Sequence, residues 1–273
     1  MRGKCPMTIV VDPQFSVYHL VQRVKSQSTL LNHRRTMSLV SYEIENATLM
    51  DDARTRVFSG FQYMSRFVPQ IPRYRRLAEK AESIYVFGVP DVEVPEIPNI
   101  IYVPLKPTDQ LAKEWFLISY GRDYFSALAT EEKTNITDPD EVRLFNGVWT
   151  FEFALVNIMN EWLTSAVDAR PLPFTETEVN YGRQVRLMST TMARLTSRMA
   201  KYMLQQEALA GKDATAAPVS QDAPASQDAS ASQDAPASPA PQAASVRVQS
   251  EELKRAIEVS LAPALEKATN SQG

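Results

Sequence analysis

Glycine is scarce in this chain, with eight residues in 273. That scarcity leaves no P-loop and no dinucleotide fingerprint, both of which need glycines at fixed spacing so that backbone can close on a phosphate. There is also no Gly-x-Ser-x-Gly elbow, so a hydrolase of that kind is unsupported. Cysteine occurs once, as Cys5. No internal disulfide can form, a reducing compartment is the default, and Cys5 reads as an inert thiol in an N-terminal segment, 1–12. With only His19 and His33 beside it, zinc sites of the usual His/Cys spacing are excluded. No metal or cofactor is called for by these residues, although a pocket for a chromophore or metabolite needs only apolar walls and a few polar groups.

Charge of one sign is missing too. Net charge is −3, and the body before residue 205 holds 24 basic and 23 acidic residues. A nucleic-acid binder shows a strongly basic domain or stripe, so none is expected here. The clusters His33-Arg-Arg35 and Arg73-Tyr-Arg-Arg76 read as solvated helix faces. No apolar run approaches the roughly 18 residues of a membrane span. Met7–Val11 is too short for the core of a signal peptide. The expectation is a cytoplasmic protein with no membrane contact.

Aromatic and β-branched residues fill the chain as far as about Ala208; beyond it the aromatics stop and the β-branched residues thin out. Ala216–Ser245 has no aromatic residue, and Val219 is its one large aliphatic. It repeats Ser220-Gln-Asp-Ala-Pro-Ala225 twice more, from Ser226 with Ser230 in place of proline and from Ser232 unchanged. Such a composition cannot bury enough apolar surface to offset the entropy of ordering. The layout predicted is therefore a folded domain at 13–175, a long helix at 176–207, a disordered linker at 208–248 and a terminal peptide at 249–268.

Within the domain, Phe15–Val24, Thr36–Glu45, Arg54–Met64 and Arg73–Ala81 show helical spacing, with Pro69 and Pro72 between the last two. Ser83–Gly88, Ile100–Val103, Trp115–Tyr120 and Phe125–Glu131 are short β-branched and aromatic runs that read as buried strands, the last two joined at Gly121-Arg-Asp123. Thr137–Asp140 reads as a turn and helix start, and helix returns at Val148–Ala166. The fold class predicted is α/β, or α+β: a small central β-sheet flanked by helices.

Glu178–Gln206 has the clearest helical pattern. Tyr181, Val185, Met188, Met192, Leu195, Met199 and Tyr202 fall at alternating spacings of four and three, a heptad seam. Two readings stay open, a helix packed back on its own domain or a homodimer through Val185, Met188, Met192, Leu195, Met199 and Tyr202. The three methionines give either surface an adaptable character. Catalytic constellations are not evident. His19, among Tyr18, Leu20 and Val21, reads as a partly buried structural residue.

Six segments in order resemble the DICT sensory domain of cyanobacteria and other bacteria. They are Met37–Asn46, Phe58–Gln62, Arg73–Ala78, Tyr85–Asp91, Pro104-Leu105 with Leu111–Phe116, and Arg143–Thr150. The resemblance implies an α/β sensory or regulatory module without known catalytic activity, tied to light or other environmental responses. It carries no ligand and no residue roles. No cyclase or kinase module follows the heptad helix, so the output expected is contact with another protein.

The terminal peptide offers one such contact. Ser250 is a plausible N-cap, with Glu251 and Glu252 in the first turn. Leu253, Ala256, Ile257, Ser260 and Leu261 share one helical face. An isolated helix this short is marginal in water, so it is read as folding against a partner groove. The pattern also resembles a eukaryotic ubiquitin-interacting motif, which the bacterial character of the first resemblance makes chance or convergence. The function read from sequence is a non-catalytic signalling adaptor. The alternatives are an assembly component recruited by its tail and an enzyme whose site is not evident. Changing Leu253 and Ile257 together to Asp is expected to abolish partner capture in a pull-down with the melting temperature unchanged. Capture that survives would move the docking surface elsewhere.

Overall fold

The structure is a computed structural model and describes residues 9, 11–24 and 30–215. Cys5, the hexad repeats and the stripe Leu253, Ala256, Ile257, Ser260 and Leu261 lie outside the described residues. A seven-stranded mixed sheet organises the rest. Its strands are β1 (Leu30–His33), β2 (Arg56–Tyr63), β3 (Ser83–Val89), β4 (Ile100–Pro104), β5 (Glu114–Tyr120), β6 (Phe125–Glu132) and β7 (Leu144–Thr150). Their spatial order is β1-β7-β6-β5-β2-β3-β4. From β2 through β4 the pairing is parallel, and from β2 through β5, β6 and β7 to β1 it is antiparallel. The sheet therefore changes character at β2.

Helices cover both faces. On one face α1 (Val17–Val24) and α5 (Phe153–Ala166) pack over Phe58, Phe87, Phe116, Ile118 and Ala127. On the other lie α2 (Arg34–Leu49), α3 (Met64–Phe67), α4 (Ile71–Lys80) and α6 (Tyr181–Thr215), over Val57, Ile84, Val86, Leu117 and Leu128. The α/β class holds: three layers, helix on sheet on helix. Successive residues of each central strand serve opposite cores. Gly60 sits where a Cβ would come within 2.4 Å of the Phe116 ring, so only glycine lets β2 and β5 close here.

Two helical expectations need correcting. Arg54–Met64 is mostly the strand β2 and not a helix. Val57, Phe58, Phe61 and Met64 imitate a helical stripe, but residues 56–60 are buried on both faces of a central strand, so no polar alternation marks the period of two. Val148–Ala166 divides into the end of β7 and α5, with Glu152 extended between them. Thr137–Asp140 is in the turn region as expected, but β7 follows it, not a helix. The short strand β1 has no counterpart in the sequence reading, and β4 has an exposed Ile101 where a buried run was expected.

α1 is anchored by a carboxylate from the sheet. Glu114, fully buried, accepts the Ser16 hydroxyl at 2.5 Å and the backbone N–H groups of Val17 and Tyr18 at 3.0 and 3.1 Å. Burial pushes its carboxyl up to about 7, against the pull of those hydrogen bonds. A folded value above the unfolded one means the native state holds the extra proton between about pH 4.5 and 7. Stability from this group is full below that window and is lost as pH rises through it. Glu114→Gln should flatten this slope, which amounts to a few kcal/mol between about pH 5 and 8. Urea unfolding of both proteins at the two pH values checks it; equal slopes would show that Glu114 ionises normally.

Candidate functional site

Among the described residues the largest fully buried side chain is an arginine, Arg143, at the entry to β7. Its Nε and Nη2 donate to the two carboxylate oxygens of Glu132 at 2.6 and 2.7 Å, and Nη2 also donates to Gln62 Oε1 at 2.8 Å. Gln62 Nε2 donates to Glu132 at 2.8 Å and closes the triangle. Burial alone would raise the Glu132 carboxyl. The bonds from Arg143 and Gln62 outweigh it and hold the group below its ordinary value.

The triangle fixes a strained turn of chain. Gln62 has φ of 64°, left-handed for a residue with a Cβ, where β2 shifts register between Gly60 and Tyr63. Such a conformation costs about 1–2 kcal/mol and persists only where its surroundings determine it. Bulges of this kind re-aim side chains at sheet ends. Here the bulge places Phe61 and Gln62 in the wall of a pocket.

That pocket lies between α2 and the C-terminal end of β2. Arg34, Ser38, Ser41, Tyr42 and Glu45 come from α2, Ser59 to Gln62 from β2, Arg66 from α3, Gln70 from the turn between α3 and α4, Trp115 from β5 and Arg143 from the residue before β7. The α2 residues are spaced to face one side. Phe61, Phe67 and Tyr74 meet edge to face at 5.1–5.5 Å below it, pinning α3 and α4 to β2. The cavity measures about 50 Å³, room for about three to five waters at roughly 10–15 Å³ each.

Its rim is cationic. Arg34, Arg66 and Arg143 surround one carboxylate, Asp140, at 2.6, 3.6 and 3.7 Å. Arg34 Nε and Arg143 Nη1 are buried and make no hydrogen bond. Burial lowers the Arg66 value, and the charges of Arg143 and Arg34 lower it further. The acids within the pocket are already engaged. Glu45 pairs with Arg73 and accepts the Tyr74 hydroxyl at 2.9 Å, although burial raises its carboxyl.

Two sequence readings change at this site. Arg34 and Arg73 belong to clusters read as solvated helix faces. Arg34 instead lines the pocket, and Arg73 binds Glu45, the Tyr42 carbonyl and Asn46. The amphipathic pattern located their helices but could not show that buried acids wait on the neighbouring element. His19, read as partly buried, is exposed and sits 3.8 Å from Glu131.

The heptad positions lie on α6, which docks on α2. Leu195 is buried in the core beneath α2, and Met199 packs at its edge. Met188, Met192 and Tyr202 are half-buried, Tyr202 under the Arg35 guanidinium at 3.9 Å. Val185 is 50 % exposed and Tyr181 48 %. The buried line of α6 is Gln184, Leu187, Thr191 and Leu195. Gln184 mimics a strand, accepting from Phe125 N at 3.0 Å and donating to Phe125 O at 2.9 Å. Arg194 forks onto Asp51 at 3.0 and 2.7 Å and reaches the fully buried Glu43 at 2.8 Å; Arg198 pairs with Glu43 at 2.7 Å.

Residues 14–133 match the family model of DICT, the sensory domain in diguanylate cyclases and two-component systems. Over these residues, somewhat under half of the sequence, the chain is similar to a DICT sensory domain, which supports a sensory role in signal transduction. No curated protein matches the chain. Among solved structures, a polyphosphate kinase from Porphyromonas gingivalis is similar at 16 % identity with a TM-score of 0.28, over 50 % of this chain and 23 % of that one. A likeness so slight carries no argument. Among the described residues no helix is long and apolar enough to cross a membrane.

Four of the six segments that carry the DICT resemblance meet at the pocket. They supply Ser38 to Glu45, Ser59 to Gln62, Trp115 and Arg143. Breaking the buried pair on one side should be costly. Glu132→Leu leaves Arg143 charged, with only the longer contact to Asp140 at 3.7 Å, and about 3–5 kcal/mol of stability should be lost. The double change of Glu132 to Leu and Arg143 to Met should cost less than Glu132→Leu alone. Chemical denaturation of the three proteins measures this; a double variant worse than the single would show that the pair stabilises by more than mutual neutralisation.

Proposed function

We propose that the protein is a non-catalytic sensory adaptor. The pocket between α2 and β2 receives the signal, and α6 delivers it through contacts between proteins. The groups around the pocket suit binding more than turnover. They are guanidiniums, hydroxyls and amides, and the carboxylates Glu45 and Glu132 are each committed to an arginine.

The observation that carries the reading is that α2 serves both places. One side of this helix lines the pocket through Arg34, Ser38, Ser41, Tyr42 and Glu45. Another holds α6 through Glu43 and, at Arg35, through the Tyr202 ring. A ligand that shifts α2 in the pocket therefore acts on the seat of α6. Leu195 and Met199 are heptad positions that the body now occupies. They cannot serve a dimer while α6 is docked, so release of α6 exposes the seam of Val185, Met188, Met192, Leu195, Met199 and Tyr202 to a second copy. The terminal stripe from Leu253 to Leu261 gives the adaptor a further contact, with another protein.

Arg194→Ala tests the output. It removes the fork on Asp51 and leaves Glu43 partly uncompensated, so docking should weaken by about 2–4 kcal/mol. Hydrogen exchange should show protection falling over α6 while β2 and β5 keep theirs. Light scattering should show a monomeric parent and a dimeric variant. A variant with α6 released but still monomeric would sink the dimer output.

A further inference from the structure

We infer that the pocket is a receptor site for a phosphate-bearing small molecule, with Arg34, Arg66 and Arg143 as the cradle and Asp140 as an internal stand-in for the ligand. The inference rests on reading this pocket as the sensory input, and names the chemistry it takes.

Three guanidiniums converge on one carboxylate, and the geometry is unequal. Arg34 Nη1 donates to Asp140 at 2.6 Å. Arg66 and Arg143 stop at 3.6 and 3.7 Å, beyond hydrogen-bonding distance. The Asp140 carboxylate, held on its own loop, thus satisfies one of the three donors. A tetrahedral oxyanion offers three or more oxygens in different directions and can meet all three. Arginine forks are matched to that shape.

The cradle is also unfinished without a ligand. Arg143 lines the cavity with no exposed side-chain surface, and its Nη1 is buried and makes no hydrogen bond; Arg34 also lines the cavity, and its Nε is buried and makes none. Buried donors are normally satisfied, and each one left over calls for an explanation. The local charge is unbalanced as well. Arg34, Arg66 and Arg143 face Glu132 and Asp140, leaving an excess of one positive charge, and Glu45 is neutralised by Arg73. Asp140 is half exposed, on the segment between β6 and β7, and an incoming anion can displace it to the solvent. Ser38, Tyr42 and Gln70 line the same cavity and can hydrogen-bond the remainder of a phosphate ester.

The test is calorimetric titration of the full chain with inorganic phosphate, and with acetate, in a buffer free of other oxyanions. Saturable phosphate uptake that weakens with added chloride is expected, with acetate binding at least about tenfold more weakly. Asp140→Asn removes the internal competitor and should tighten phosphate about fivefold or more; Arg66→Gln should weaken it about tenfold. Uptake of glycerol 3-phosphate tighter than that of phosphate identifies an ester as the ligand, and equal uptake identifies the free anion; either supports the site. Absence of saturable uptake in both the parent and Asp140→Asn overturns it, as does acetate binding equal to phosphate. If Arg66→Gln fails to fold, Asp140→Asn alone decides, because its residue is exposed. Phosphate bound with no change in α6 exchange would overturn the adaptor reading and leave the site standing. An α6 that responds to Arg194→Ala in a protein blind to phosphate would do the reverse.

Discussion

A guanidinium with no contact to water must have its charge met inside the protein, and the Arg143–Glu132 pair does this across two strands. Its arrangement decides much of what surrounds it. Gln62 bridges both partners, so the left-handed residue is held by two hydrogen bonds to charged groups. The bulge at Gln62 turns the end of β2 away from the ladder with β5, which ends at Gly60 and Phe116. That departure opens the space that becomes the pocket. An apolar pair of the same volume could fill the core, but it would release the bulge and close the cavity. The cost of burying two charges is thus tied to keeping a hole in the protein.

α2 is the second element on which the molecule turns. Its burial is nearly continuous from Glu43 to Thr48, because the sheet, α4 and α6 all meet it. The acids Glu43 and Glu45 would be expensive in such a place, and each has recruited arginines from a different neighbour: Arg194 and Arg198 from α6, Arg73 from α4. A helix clamped by ionic contacts on two sides moves as a unit. A displacement at one side of such a helix is not absorbed by repacking of soft side chains.

The sequence made some of this legible and concealed the rest for identifiable reasons. Short β-branched runs such as Ile84 to Phe87 and Phe116 to Ile118 announced themselves, because strands buried on both faces read as continuous apolar runs. The same property hid β2, whose apolar residues also satisfy a helical period. The long helix was evident, but its buried line was not. Gln184 and Thr191 are polar and buried, so a seam chosen by hydrophobicity passed through Val185 and Met192 in their place. The pocket's polar wall was present in the DICT-like segments without being recognisable as a wall. Arg34 and Arg143 lie more than a hundred residues apart, and only the pairing of β1 with β7 brings them together: Arg34 N–H bonds the Arg143 carbonyl at 3.1 Å.

That pairing also bears on how the chain comes off the ribosome. β1 is made early, and in the sheet its neighbour is β7, with Leu30 opposite Gly147. Roughly a hundred residues are synthesised while the first strand waits, a long exposure for an unpaired edge. The family match ends at 133, one residue beyond β6. A fragment cut there would lack β7, leave β6 as an open edge, strand Glu132 without its arginine and give β1 nothing to join. The recognisable domain and the unit that can fold are therefore different lengths of chain, and the longer one sets where a stable piece can be excised.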